Sequence, residues 1–150
     1  MMLRRLHPIA GAIGFLTIAT FWTSTVLVEI FGDAAAILTV KTAILWGLLV
    51  LIPALATTGA TGFRLAGPVA TGFAAAKRRR MPLIAANGII LLVPSAVCLQ
   101  QLAAAGDFGA TFLVLQAVEL LAGAANLALM GLNMRDGLRM TRHRRHPKEA

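Results

Sequence analysis

The 150-residue chain is 58% hydrophobic and 13% charged, whereas a soluble domain has about 45–50% apolar and about 25% charged residues. A chain this short cannot bury that apolar excess in a water-soluble core, so lipid is its expected solvent. The net charge of +8 does not predict a nucleic-acid partner, because the basic residues flank apolar runs without aromatic readers among them. The single cysteine, Cys98, excludes an intrachain disulfide and a cysteine-based metal site.

Four apolar segments are long enough to cross a bilayer, since about 20 mostly apolar residues span its hydrocarbon core as a helix. An open strand would leave backbone polar groups unsatisfied in lipid, so each segment is predicted to be helical. The predicted fold is an all-α integral membrane four-helix bundle, a single transmembrane domain over residues 1–150. It consists of two antiparallel hairpins joined by a longer basic connection at 59–81. The four predicted spans are residues 8–31, 34–58, 82–105 and 109–134.

The basic residues predict the orientation of these spans. Lys41 lies inside the second span, and the other 13 of the 14 Lys and Arg residues lie in three clusters, within 4–5, 64–80 and 135–148. The two short connections hold only acids, Asp33 and Asp107. By the positive-inside rule, both termini are expected in the cytoplasm of a bacterial-type inner membrane. Residues 135–150 are expected to form a basic cytoplasmic tail on the anionic lipid leaflet.

Polar residues in the last span recur at helical spacing and predict an inward face. Polar groups in hydrocarbon turn toward partners, so this stripe should line the bundle interior or a subunit interface. A glycine within it should allow close approach of another helix. In the third span, Asn87 lies on a weaker polar face and Pro94 should disturb the helix. The stripe consists of Gln116, Glu119, Gly123, Asn126, Met130 and Asn133.

The charges inside the spans predict an ion pair. At 1.5 Å per residue, Lys41 lies about 10 Å and Glu119 about 15 Å from the outer ends of their spans. An ionisable residue at a helix centre costs about 2.5–3.5 kcal/mol, and pairing offsets much of that cost. We therefore expect Lys41 to pair with Glu119 or, failing that, with Glu29. Such a pair is either a relay or counter-charge for a solute or a device that fixes helix order and register.

The predicted function is that of a small multi-pass inner-membrane protein acting through helix contacts. It is either an accessory subunit of a larger membrane complex or a homo-oligomer that moves a small solute or proton past Lys41 and Glu119. An enzymatic role is not favoured, since the sequence assembles no zinc spacing, phosphate-binding glycine motif or Ser-His-Asp constellation. This prediction requires no resident cofactor.

A b-type haem electron carrier is the alternative. Membrane cytochromes b hold haem with inward-facing histidines, and none of the histidines in this chain lies in the middle of a predicted span. His7, at the inner edge of the first span, is a candidate axial ligand. Met81, Met134 or a tail histidine (His143 or His146) would be the second, because Met and His are both established axial types.

Overall fold

A computed structural model describes residues 2–66 and 72–145. A π-helical turn, Gly88–Leu92, directly joins the helices Gly72–Asn87 and Val93–Ala104, and the three together form one span, called the third span below. Within the described residues, four helical spans are long and apolar enough to cross a membrane, which confirms the predicted all-helical membrane fold. The helices are α1 (Met2–Phe31), α2 (Ala34–Ala66), α3 (Gly72–Asn87), α4 (Val93–Ala104) and α5 (Ala110–Arg145).

Two short connections, at 32–33 and 105–109, lie at one end of the bundle, called the outer end below. Asp33 caps α2, because its Oδ1 accepts a hydrogen bond from the Ala36 N–H at 2.8 Å. Gly106 has a φ of 71°, the left-handed conformation that ends a helix and that glycine adopts without a Cβ penalty. Connections this short pack α1 against α2, and α4 against α5, as antiparallel pairs.

At the opposite, inner end the helices extend further than the sequence predicts. α2 continues to Ala66 and helix resumes at Gly72, so most of the connection predicted at 59–81 is helical. Thr58 and Thr61 donate hydroxyl hydrogen bonds to carbonyls of the preceding turn, at 2.8 and 2.6 Å, so these polar side chains are satisfied within a continuing helix. Residues 67–71 lie outside the described residues.

The last helix also exceeds its predicted end. α5 continues from the predicted boundary at 134 to Arg145, so much of the predicted tail is a helical extension of the fourth span. Residues 146–150, which include His146 and Lys148, lie outside the described residues.

The four spans form a ring. α1 packs on α2, α2 on the third span, the third span on α5, and α5 on α1. Among the described residues, the backbones of the diagonal pairs, α1 with the third span and α2 with α5, do not approach closely. The ring therefore leaves space along its axis. Long side chains of these helices still meet, as Ile18, Leu51, Ile84 and Met130 do in one buried cluster.

Pro94 is predicted to disturb its helix, and the backbone widens into the π turn immediately before it. Proline lacks the N–H that would bond the carbonyl of Ile90, and its ring crowds that carbonyl. Local widening of this kind accommodates the misfit without breaking the helix. Pro53, by contrast, lies within the unbroken helix α2.

Apolar packing holds the ring in two places. Near the outer end, Leu99 and Phe112 are buried between the third span and α5. Deeper in the bundle, Ile18, Leu51 and Met130 bring α1, α2 and α5 together. Most large apolar side chains instead face outward, as expected where lipid is the solvent.

Candidate functional site

Lys41 and Glu119 form a buried ion pair inside the bundle. The Lys41 side chain is 0% exposed, and its Nζ lies 2.5 Å from Glu119 Oε2. Gln116, one helical turn before Glu119, donates a second hydrogen bond to the same oxygen at 3.2 Å. The Glu119 side chain is 12% exposed. The ion pair predicted from the sequence is therefore present, with Glu119 rather than Glu29 as the partner of Lys41.

Glu29 lies near this pair without bonding to it. It is within range of the charges on Lys41 and Glu119, yet its buried Oε1 has no hydrogen-bond partner among the described residues. The buried Oε1 of Gln116 is likewise unpartnered there. These four residues, Glu29, Lys41, Gln116 and Glu119, are called the outer cluster. It combines two carboxyl groups with one ammonium.

Asn87 and Asn126 link the third span to α5 deeper in the bundle. Asn87 Nδ2 donates to Asn126 Oδ1 at 2.9 Å and to the carbonyl of Ala122 at 2.8 Å. Asn126 is fully buried, and its own Nδ2 lies 3.4 Å from the Ile84 carbonyl. Both amides therefore find partners between helices.

The stripe predicted on α5 faces inward. Its members from Gln116 to Asn133 are buried or half-buried in the bundle. Gly123 provides the expected space, since a β-carbon there would lie 3.0 Å from Cδ1 of Trp22. The Trp22 indole occupies that space and donates its N–H to the Leu120 carbonyl at 3.0 Å.

A second polar group at the inner end was not predicted from the sequence. Asp136 accepts a hydrogen bond from Arg80 Nη1 at 2.6 Å, and its side chain is only 2% exposed. Arg80 Nη1 also lies 3.4 Å from Asn133 Oδ1. The predicted boundaries place Asp136 in the tail and Arg80 in the connection. The signal was available, however, because Asp136 follows Asn133 by three residues and continues the spacing of the stripe. Arg80, Asn133 and Asp136 are called the inner cluster.

Three of the candidate haem ligands, His7, Met81 and Met134, lie in different surroundings. His7 Nδ1 is 3.0 Å from Thr61 Oγ1, and its Nε2 is 3.5 Å from Lys77 Nζ. Met81 Sδ is 3.7 Å from Asn133 Nδ2, and Met134 is exposed on the outer surface of the bundle. Met81 lines the cavity described below, and His7 and Met134 are not among its lining residues. In the described part of the chain, no group of three or more His, Cys, Asp or Glu side chains suits a metal ion.

A central cavity of about 370 Å³ lies along the axis of the ring. All four spans contribute to its walls, which are almost entirely apolar. Glu119 lines the cavity toward the outer end, whereas Phe63 and Met81 line it toward the inner end. On α2 the lining residues extend from Ile44 to Phe63, about 28 Å of helix at 1.5 Å per residue. The cavity is thus long, and its lining is apolar along most of that length.

The cavity opens sideways between α2 and the third span. Several residues that line it are also exposed on the outer surface of the bundle, such as Ile89, whose exposed fraction is 71%. These residues lie on facing sides of the two spans, mostly toward the inner end. They define the lateral opening, which consists of Ile52, Phe63, Pro82, Ala85 and Ile89.

No known protein family, curated protein or solved structure matches this chain. The function is therefore inferred from the cavity and the two polar clusters.

Proposed function

We propose that this protein is a small transporter that accepts a lipid-like amphiphile from the bilayer through the lateral opening. The observation that carries this proposal is the apolar central cavity with Glu119 in its wall. A volume of about 370 Å³ falls within the range of small-molecule sites. The long apolar interior between two polar clusters matches a molecule with an extended apolar chain and a polar head.

The apolar walls argue against movement of a proton or ion through the cavity. Cavities lined by aliphatic and aromatic side chains stay dry, because water needs several polar partners to enter. Glu119 and Asn126 are separated by apolar lining, so a continuous polar path between the outer and inner clusters is missing from the described residues. An amphiphile with an apolar body fits this interior better than a hydrated solute.

In this proposal the Lys41–Glu119 pair closes the outer end of the cavity. A solute leaving toward the outer end has to pass the carboxylate, and separating the pair opens the way. The unpartnered Oε1 atoms of Glu29 and Gln116 are acceptors that Lys41 can reach only by moving. This supports an ion pair that exchanges partners during transport.

The orientation proposed for the bundle places its inner end in the cytoplasm of a bacterial-type inner membrane. Arg64, Lys77, Arg78, Arg79 and Arg80 all belong to that end, whereas the outer connections carry Asp33 and Asp107. Positive charge is retained on the cytoplasmic side during insertion, which supports this orientation.

Occupancy of the cavity can be tested with its own tryptophan. Trp22 lines the cavity, whereas Trp46 is 71% exposed toward lipid. In a Trp46→Phe variant in nanodiscs, the apolar quencher 1-bromodecane should quench Trp22 saturably. Ala85→Phe, which narrows the lateral opening, should abolish the saturable part, and Ala86→Phe on the neighbouring exposed position should not. Equal, unsaturable quenching in all variants would overturn the proposal.

Transport requires a separate measurement. Proteoliposomes containing phospholipids with a nitrobenzoxadiazole-labelled head should let dithionite reduce the lumenal label faster than empty liposomes. Glu119→Gln should slow that movement in protein that remains folded, although stranding the buried Lys41 ammonium also lowers the thermal stability. If Glu119→Gln lowers only the thermal stability, the pair is structural. A stoichiometric partner retained in gentle detergent, without lipid movement, would favour an accessory subunit.

A further inference from the structure

The inner end of the central cavity lies directly beneath a group of basic side chains. Arg64 follows Phe63, and Lys77 and Arg78 precede Met81 and Pro82 by one helical turn on the same helix faces. Phe63, Met81 and Pro82 all line the cavity. Arg64, Lys77 and Arg78 are called the inner rim.

From this arrangement we infer that the preferred ligand is an anionic phospholipid. One acyl chain enters the cavity through the lateral opening, and the phosphate binds at the inner rim. The inference rests on the proposed function, because it assumes that the cavity accepts an amphiphile, and it adds the class of head group.

Charge complementarity favours an anionic head. In the described residues of the inner end, the acid is Asp136, which is buried and bound to Arg80. Its charge also acts on Lys77, but in the described part of the chain this single carboxylate faces the several Arg and Lys side chains of the inner end. The inner end therefore keeps a net positive charge, of the kind that attracts anionic lipid at a membrane surface.

Lys77 provides the most specific contact. Its side chain is half-buried, and its Nζ meets His7 Nε2 at 3.5 Å, which is a weak contact. No described carboxylate lies within salt-bridge distance of this ammonium. A phosphate oxygen at the mouth of the cavity would supply the strong acceptor that a partly desolvated ammonium requires.

The length of the cavity matches an acyl chain held in this direction. His7, which contacts Lys77, is fifteen residues from Trp22 on α1, about 22 Å at 1.5 Å per residue. A chain whose head binds at Lys77 therefore reaches Trp22 only near its terminal methyl group. The position of the head group at Lys77 and the position of the terminal methyl group near Trp22 can therefore be tested together.

The test uses the Trp46→Phe variant in phosphatidylcholine nanodiscs that contain a small fraction of brominated lipid. Phosphatidylglycerol brominated near the terminal methyl should quench Trp22 more strongly than the equivalent phosphatidylcholine, and bromination near the carbonyl should have little effect. A Trp22→Phe variant reports bulk lipid through Trp46 and should not distinguish the two head groups.

The inner rim is tested with variants of equal charge. Arg78→Gln should reduce the preference for phosphatidylglycerol about five-fold, the effect of one basic residue near an anionic surface. Arg79→Gln removes the same charge one residue away. The residue one helical turn after Arg79 is Leu83, which does not line the cavity. This variant should therefore leave the preference unchanged. Arg64→Gln combined with Arg78→Gln should remove most of it.

The outcomes separate the two proposals. Equal quenching of Trp22 by both head groups would overturn the anionic preference while leaving the cavity an acyl-chain site. Equal effects of Arg78→Gln and Arg79→Gln would show that bulk surface charge, and not the inner rim, attracts the lipid. An absence of selective quenching of Trp22 by any brominated lipid would overturn the proposed function as well.

Discussion

Lys41 on α2 and Glu119 on α5 are joined across the diagonal of the bundle, where the backbones of these two helices do not approach closely in the described residues. The neighbouring helices of the ring meet through apolar side chains and through hydrogen bonds, such as the one from Asn87 to Asn126. The ion pair therefore ties the first hairpin to the second at the outer end, in addition to any role in passage of a solute.

Removal of Lys41 should destabilise the protein strongly. Lys41→Met leaves Glu119 buried without its cation, and breaking a buried pair in this way costs about 3–5 kcal/mol. Adding Glu119→Gln removes the stranded charge and should recover most of that loss, because the buried site is then neutral. Thermal unfolding in one detergent, measured for both single variants and the double variant, gives the coupling between the residues. Additive losses in the double variant would show that the pair is not energetically linked.

Gly47 should tolerate no side chain while Phe21 is present. A β-carbon at Gly47 would lie 2.2 Å from Cζ of Phe21, so Gly47→Ala has to displace the ring. Overpacking of this kind costs about 1–3 kcal/mol, and Phe21→Leu in the same chain should relieve it. Thermal unfolding of the single and double variants measures both effects.

Gly131→Ala is the matched control for Gly47→Ala. Nothing lies within 4 Å of a β-carbon at Gly131, and Ala is favoured over Gly in a helix by up to about 1 kcal/mol. Gly131→Ala should therefore be neutral or stabilising. Similar losses from both substitutions would contradict close packing of Phe21 on Gly47.

Lys41 and Glu119 could be paired from sequence alone because both are charges in apolar spans, at similar depths from the same side. That reasoning uses only the rise of a helix per residue and the free-energy cost of burying a charge in the bilayer. The order of the helices around the ring does not enter it. The central cavity does depend on that order and on the sizes of side chains from all four spans, such as Trp22 against Gly123, and so it could not be predicted.

Arg80 and Asp136 show a different limit. Both belong to stretches rich in charge, where the apolar pattern that predicts a span fades. The predicted spans therefore end too early and leave Arg80 in the connection and Asp136 in the tail. The polar stripe keeps its helical spacing through Asp136, even though the high hydropathy of the span does not extend that far. Spacing is the better guide at the ends of membrane helices, where helices extend into the interface.

Loss of Arg80 should weaken the inner end of the bundle. Arg80→Gln strands the buried Asp136 carboxylate, although Arg135 Nε remains 3.5 Å from Oδ1. Because the Arg80 side chain is 23% exposed, we expect a loss toward the lower end of about 3–5 kcal/mol. Thermal unfolding provides the measurement. Arg79→Gln, an exposed neighbour with the same change in charge, should stay within about 0.5 kcal/mol of wild type, and equal losses from both would exclude a specific pair.

The orientation of the bundle is tested by cysteine labelling. Cys98 is the single native cysteine, so Cys98→Ala provides a background without thiols. If positive residues stay in the cytoplasm, Asp107→Cys at the outer connection should react with a membrane-impermeant maleimide added to intact spheroplasts. Arg79→Cys, on the exposed surface of the inner end, should react only after permeabilisation. The reverse pattern would invert the orientation and would place the inner rim in the opposite leaflet. Labelling of both positions in intact spheroplasts would indicate mixed insertion, in which the basic clusters do not set the direction of the helices.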